Sequence, residues 1–336
     1  MRTLVTGATG FLGRHIVGQL LAEGHEVRAL CRNPDSELAS LGVEIVRADL
    51  RDRQAAVAAC RNVETVFHTA GMAGVWGPWK AYYAANTLAT MHVVQGCLAH
   101  GVGRLIYTST PSVTFNGTDQ KGVDESAPYA KRWLCHYPHS KALAEQYVLQ
   151  ANGEGGLSTC ALRPHLIWGP GDRHLIPGLI ERRRAGRLWR VGDGSNLIDM
   201  VYVDNAARAH LSAADRLGPG SPVAGRVYFI SQGQPVRCWE WIDQILLMAG
   251  LGPAPRSLSL TAAWCYGALM EAVWQFFRVP GDPPMTRFLA AQLGTSHYFN
   301  ICRARRDFGY APAISTAEGM ERLAADLAAR GLRDER

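Results

Sequence analysis

Charge is scarce in this chain. Asp, Glu, Lys and Arg make up 19% of its 336 residues, and the net charge is +6. It contains no long basic run, which argues against nucleic acid as a partner. The one local cluster, Arg182, Arg183 and Arg184 with Arg187 and Arg190, is expected on a solvated helix face. Eight cysteines are scattered at positions 31, 60, 97, 135, 160, 238, 265 and 302. They show neither the paired spacing of a disulfide framework nor that of a zinc site. No metal is therefore expected, and the thiols should be free and mostly buried in a reducing compartment. A glycine-rich turn begins at residue 7 and leaves no room for a leader peptide ahead of it, so a cytoplasmic protein is expected. Repeats and low-complexity segments are lacking. So is an uninterrupted apolar run of membrane-spanning length. The nearest approach, Leu258 to Phe277, is broken by Glu271 and Gln275. It is expected first as a lid helix over an apolar pocket, second as a peripheral membrane contact, and third as a plain core helix.

Hydrophobic residues are plentiful, at 47%, enough for one large core or two modest ones. Apolar runs predict strands near Thr3–Val5, Glu26–Leu30, Glu44–Val46, Thr65–Phe67, Leu105–Tyr107 and Thr159–Leu162, with helices between them. Repeated strand–helix units imply an α/β fold with a doubly wound parallel sheet. Beyond Pro253 helices predominate, near Ala262–Phe277, Thr286–Leu293 and Thr316–Ala328. A smaller, mostly helical substrate domain is expected from residues 170–197 and 234–310. Residues 1–169, 198–233 and 311–336 would form the sheet domain.

Three segments carry chemistry. The strand Arg2–Thr6 runs into Gly7-Ala8-Thr9-Gly10-Phe11-Leu12-Gly13 and then a helical pattern. Strand, glycine turn and helix in that order suit a dinucleotide. Gly7 allows the tight turn, Gly10 lets backbone approach a pyrophosphate at the helix N-terminus, and Gly13 lets helix and strand pack closely. Thr9, Phe11 and Leu12 belong to the same loop. Second, Thr108-Ser109-Thr110-Pro111-Ser112 follows a buried strand, at the end that lines the ligand crevice of an open parallel sheet. Third, Tyr137 and Lys141 stand four apart, on one face of a helix. An ammonium there lowers the pKa of a phenol, which can then exchange a proton with a substrate oxygen. His68, His92, His100 and His210 sit in apolar or helical patterns without a ligand set, and are expected to be structural.

In order and spacing these residues resemble the extended short-chain dehydrogenase/reductases over nearly the whole chain. Asp49-Leu50, Ala70-Gly71, Asn86, Leu162-Arg163-Pro164 and Val201–Asn205 fit as well. Ala89 departs from the glycine many relatives carry, a packing detail. Within that family the chain is closer to the 3β-hydroxysteroid and sterol-carboxylate dehydrogenase branch. It is closer still to the bacterial 2-alkyl-3-oxoalkanoate reductases of olefin and β-lactone biosynthesis, through Ala73–Gly77, Tyr107–Val113, Leu166–Asp172, Val191–Asn196 and Ala304–Tyr310.

The resemblance implies cofactor contacts from Asp49, Leu50, Ala70, Gly71, Asn86, Ser109, Pro164, His165 and Leu166, with Tyr137 and Lys141 shared between cofactor and catalysis. It implies ketone reduction, with Tyr137 as proton donor, Lys141 as its partner and Thr110 orienting the substrate oxygen. The second strand ends in Cys31-Arg32-Asn33 without a carboxylate for the ribose hydroxyls of NAD. Arg32 suits a 2′-phosphate instead, so NADP(H) is expected ahead of NAD(H). A lipid-like substrate is expected, walled by Trp76, Ser112, Trp168 and Trp264, with Trp79, Trp274 and Phe276 as further apolar surface. Arg173, His174 and Arg287 are cationic candidates for its carboxylate. A homodimer, and contact with other enzymes of an olefin or β-lactone pathway, would follow the family. A sterol-type dehydrogenase, a sugar-nucleotide epimerase or dehydratase, and an NADP-binding sensor are the alternatives.

Overall fold

The computed structural model describes residues 1–33 and 35–332; the last four residues of the expected segment 311–336 lie outside it. Seven strands form one parallel sheet: β1 (Arg2–Thr6), β2 (Glu26–Cys31), β3 (Glu44–Arg47), β4 (Thr65–His68), β5 (Arg104–Thr108), β6 (Ser158–Pro164) and β7 (Arg226–Ile230). Their order is β7-β6-β5-β4-β1-β2-β3, all in parallel register. The six expected strands are present, and β7 extends the sheet beyond them.

Alternation along each strand sends neighbouring side chains to opposite faces. Val5, Phe67, Ile106 and Leu162 pack with Ile16, Val17 and Leu20 of α1 (Phe11–Ala22) on one side. Leu4, Val66, Leu105 and Ala161 pack with Val93 and Val94 of α2 (Ala89–His100), and with Ala144 and Val148 of α3 (His136–Gln150), on the other. Each fully buried aliphatic side chain contributes about 1.5–3 kcal/mol. α4 (Val203–Arg216) lies against α1.

Shorter strands form a second sheet. Gln120–Val123, Leu197–Ile198, Val236–Arg237 and His297–Phe299 make a four-stranded sheet. Beside it, α5 (Leu260–Phe277) packs on α6 (Arg287–Gly294). The approach is close: a Cβ on Gly267 would lie 2.6 Å from the Thr286 carbonyl carbon. No helix among the described residues is long and apolar enough to cross a membrane.

The arginine run is only partly a solvated face. Arg183 donates to the Gly252 carbonyl at 2.8 Å, and Arg190 pairs with Asp243. Cys31, Cys60, Cys97, Cys160 and Cys238 are buried, Cys135 is half-buried, and Cys265 and Cys302 are exposed.

Candidate active site

The order of the sheet reverses between β1 and β4, and the glycine turn lies at that switch point. Gly7 has φ +71°, and a Cβ there would sit 2.7 Å from the Ala70 backbone nitrogen. On Gly13 it would sit 2.2 Å from the Gly7 carbonyl oxygen. Gly10 opens α1 with no side-chain cap, and the first turn carries no acid. Unpaired N–H groups and the positive end of the helix dipole therefore face outward together. This cradle fits the pyrophosphate of a dinucleotide. Just past β3, Asp49 is held below its ordinary carboxyl range, first by hydrogen bonds from Arg51 and in small part by the charge of Arg32. Arg32 is exposed at the end of β2. The nearby acid, Asp35, is engaged with Arg14 and caps the short helix Ser36–Ser40. Leu50 is buried, and its carbonyl receives His92 Nδ1.

Beyond the cradle, a crevice of about 390 Å³ runs past Gly71, Ser109, Thr110, Ser112, Tyr137 and Lys141. Pro164, His165 and Leu166, at the end of β6, form its opposite wall. Thr110 and Tyr137 line the crevice together, the Thr110 hydroxyl acts to lower the Tyr137 pKa, and Thr110 Oγ1 accepts from the Ser112 backbone. The Ser109 hydroxyl is buried without a partner among the described residues, a group left for something in the crevice to satisfy. His165 donates from Nδ1 to the Asp199 carbonyl at 2.7 Å, and burial holds its pKa well below the ordinary value, so the ring is neutral. Leu166 has φ +44°. A branched side chain in that region costs about 1–3 kcal/mol and is typical of functional sites.

The electrostatics differ from those expected of a lysine-tuned phenol. Burial raises the Tyr137 pKa, and the Thr110 hydroxyl opposes it. Lys141 does not point its charge at the phenol: Nζ donates to the Thr108 carbonyl at 2.5 Å and lies 4.2 Å from the centre of the Tyr107 ring. Burial pushes Lys141 down to about 7, and Glu145 opposes that shift.

Glu145, one turn beyond Lys141 on α3, is itself buried. It takes two hydrogen bonds from Arg163 and one from Tyr129 at 2.6 Å. This triad was missed in the sequence. Its signal was there, since Tyr137, Lys141 and Glu145 repeat at intervals of four.

Asn86 does not line the crevice. It lies in a π-helical turn, Tyr83–Leu88, a local irregularity common at functional sites. Its amide receives Met72 N and donates to Met72 O and Ser140 Oγ. It thereby ties the loop after β4 to α3.

A second cavity of about 710 Å³ adjoins the first, and Val75 lines both. Trp76, Trp133, Glu271, Trp274, Arg278 and Arg287 stand around it. α5 thus covers a cavity, but not a purely apolar one, because Glu271 binds the Arg287 guanidinium and backbone at 2.7 Å. The outward side of α5 exposes Tyr266, Leu269, Phe276 and Phe277.

Of the cationic candidates, the structure brings Arg287 to a cavity and leaves Arg173 and His174 exposed ahead of the helix Leu175–Arg184. Ser112 is in the crevice and Trp76 beside it. Trp168 is not a wall: it is fully buried, edge-on to Tyr202 and Trp241 and against Gly319. A core tryptophan and a pocket tryptophan are alike in sequence, and here the pairing of Ile167–Trp168 with Val201–Tyr202 turns the ring inward. Trp264 lies behind the crevice with Phe115 and Phe288.

The profile of the 3-beta hydroxysteroid dehydrogenase/isomerase family matches residues 4–261. A 2-alkyl-3-oxoalkanoate reductase of Stenotrophomonas maltophilia strain K279a is 47% identical over 332 residues, covering 98% of this chain and all of the relative. One from Shewanella oneidensis strain MR-1 is 44% identical over 330 residues, covering 96% and 85%. Among solved structures, MoeE5 in complex with UDP-glucose and NAD superposes with a TM-score of 0.75 at 28% identity, covering 99% of this chain and 100% of that one.

Proposed function

Because the chain belongs to the 3-beta hydroxysteroid dehydrogenase/isomerase family, whose members are NAD(P)-dependent enzymes acting on hydroxyl and keto groups, we propose that it reduces long-chain 2-alkyl-3-oxoalkanoic acids to the 3-hydroxy acids. The observation that carries this is the crevice itself. It holds Tyr137 and Thr110 together and opens past Val75 into a wide cavity whose cationic groups are Arg278 and the Glu271-paired Arg287. A two-tailed keto acid needs a proton donor, room for hydrocarbon and a place for an anion. The likeness to the two bacterial reductases agrees with it.

A bound nicotinamide cofactor supplies the hydride. Tyr137, kept protonated by burial, passes its proton to the carbonyl oxygen. Thr110 holds that oxygen in line. Lys141, Ser109 and the wall from Pro164 to Leu166 are the groups that would hold the cofactor's nicotinamide end. A dehydratase would need a carboxylate beside Thr110, and Pro111-Ser112 provides none.

The test is cofactor oxidation with a chain-length series of 2-alkyl-3-oxo acids, beside a hydroxysteroid and a UDP-sugar. Burial is worth about 0.8 kcal/mol per methylene, so kcat/KM should climb with tail length until the cavity is full. A flat dependence would remove the buried tail. Activity on the UDP-sugar or steroid, with none on these acids, would remove the substrate class.

NADPH is the proposed reductant. Arg32 is exposed just past the end of β2, and Asp35, three residues on, is occupied by Arg14. Arg32→Ala should weaken NADPH by about 1.5–3 kcal/mol, the value of a charge-assisted hydrogen bond, and leave NADH unchanged. Equal affinity of the unmodified protein for both cofactors, by fluorescence titration, is the contrary result.

A further inference from the structure

A third cavity, of about 410 Å³, lies beyond the second and is lined by Trp189, Leu258, Tyr266, Trp274 and Met285. Trp274 is common to both, so one indole separates them, as Val75 marks the passage from the crevice into the second cavity. The backbone carrying that indole is fixed. Gly267 packs directly on the Thr286–Arg287 backbone, and Glu271 is bonded to Arg287. The indole itself is held differently. Its Nε1 is buried and has no hydrogen-bond partner among the described residues, so a change of rotamer breaks no hydrogen bond and needs only space. Trp189, Leu258, Tyr266, Pro284 and Met285 give the space behind it apolar walls that suit hydrocarbon, and Arg187 and Asp282, of opposite charge, also stand on its lining.

We propose that Trp274 is the end wall that sets the tail length this enzyme accepts, and that the cavity behind it is an extension subsite for longer alkyl chains. This rests on the keto-acid reading of the crevice. A tail anchored at the reacting carbonyl passes Val75, fills the second cavity and meets the indole. Removing the indole joins the two cavities and moves the limit outward without touching the groups that move the proton.

The experiment compares the unmodified enzyme, Trp274→Ala and Trp274→Phe across the chain-length series with NADPH. In the unmodified enzyme kcat/KM should rise about fourfold per methylene, the equivalent of 0.8 kcal/mol, and then level off. Trp274→Ala should follow the same rise through the shorter substrates and continue it for several methylenes further. Trp274→Phe should extend it less, and decides the matter if the alanine variant does not fold. A plateau at the same tail length in every folded variant overturns the proposal. If the unmodified enzyme reduces none of the acids, the functional reading falls by itself. Calorimetric binding of a series of saturated fatty acids then carries the test: a plateau shifted to longer chains in Trp274→Ala sustains the end-wall role, and an unshifted one overturns it.

Discussion

Turnover by purified Tyr137→Phe protein should fall by about a hundredfold or more, the scale of general acid catalysis, with cofactor binding retained. The Tyr137 side chain is half-buried and lines the crevice beside Thr110, so phenylalanine keeps the ring packing and removes only the exchangeable proton. Burial raises the Tyr137 pKa, which suits a donor: reduction of a ketone starts from the protonated phenol. Steady-state assays and a fluorescence titration of NADPH on the same preparation separate chemistry from binding. Near-normal turnover would take Tyr137 out of the proton transfer.

Lys141→Met should abolish most turnover and yet melt at a higher temperature at pH 6. The ammonium is buried, bonded to the Thr108 carbonyl and set over the Tyr107 ring. Its pKa is driven from 10.5 to about 7, first by burial, while Glu145 pulls it back. Between pH 7 and 10.5 the unfolded chain binds a proton that the folded one does not, so stability rises with pH across that window. Below pH 7 both states are charged and the cost of the buried ammonium is fully present. Methionine has a similar length and no charge. The gain should be on the order of 2 kcal/mol at pH 6, reduced by the donor lost to Thr108, and should shrink as pH approaches 10. Urea denaturation at pH 6 and pH 9 checks this, and a less stable variant at pH 6 would show that the contacts outweigh the burial. Activity of the unmodified enzyme should also fall as pH rises through about 7, if the charged lysine is the working form.

Much of this site was legible because its signals are local. The cradle shows locally in the φ of +71° at Gly7 and in the packing of Gly13 on the Gly7 carbonyl, and the interval from Tyr137 to Lys141 fixes a helix face whatever surrounds it. The six strands were readable because a sheet covered on both faces leaves continuous apolar runs. What escaped depends on long-range packing. Whether Trp168 lines a pocket is decided by Trp241, Tyr202 and Gly319, which are remote in sequence. The direction of the Tyr137 shift depends on how deeply the fold buries it, and spacing carries no measure of depth. Glu145 was visible at the right interval, but its partner Arg163 comes from β6, so the pair exists only in the folded chain.

The uneven burial of the thiols provides a ready spectroscopic probe. Burial pushes Cys135 up to about 12, so its thiolate is scarce at neutral pH, and five others are enclosed. Cys265, on α5, and Cys302, at the start of the short helix Cys302–Phe308, are open to solvent. Maleimide dyes on the native protein would therefore mark those two positions, one on the helix that walls the two outer cavities and one on a separate helix. Their energy transfer would record any displacement of that wall during turnover, with no cysteine added or removed.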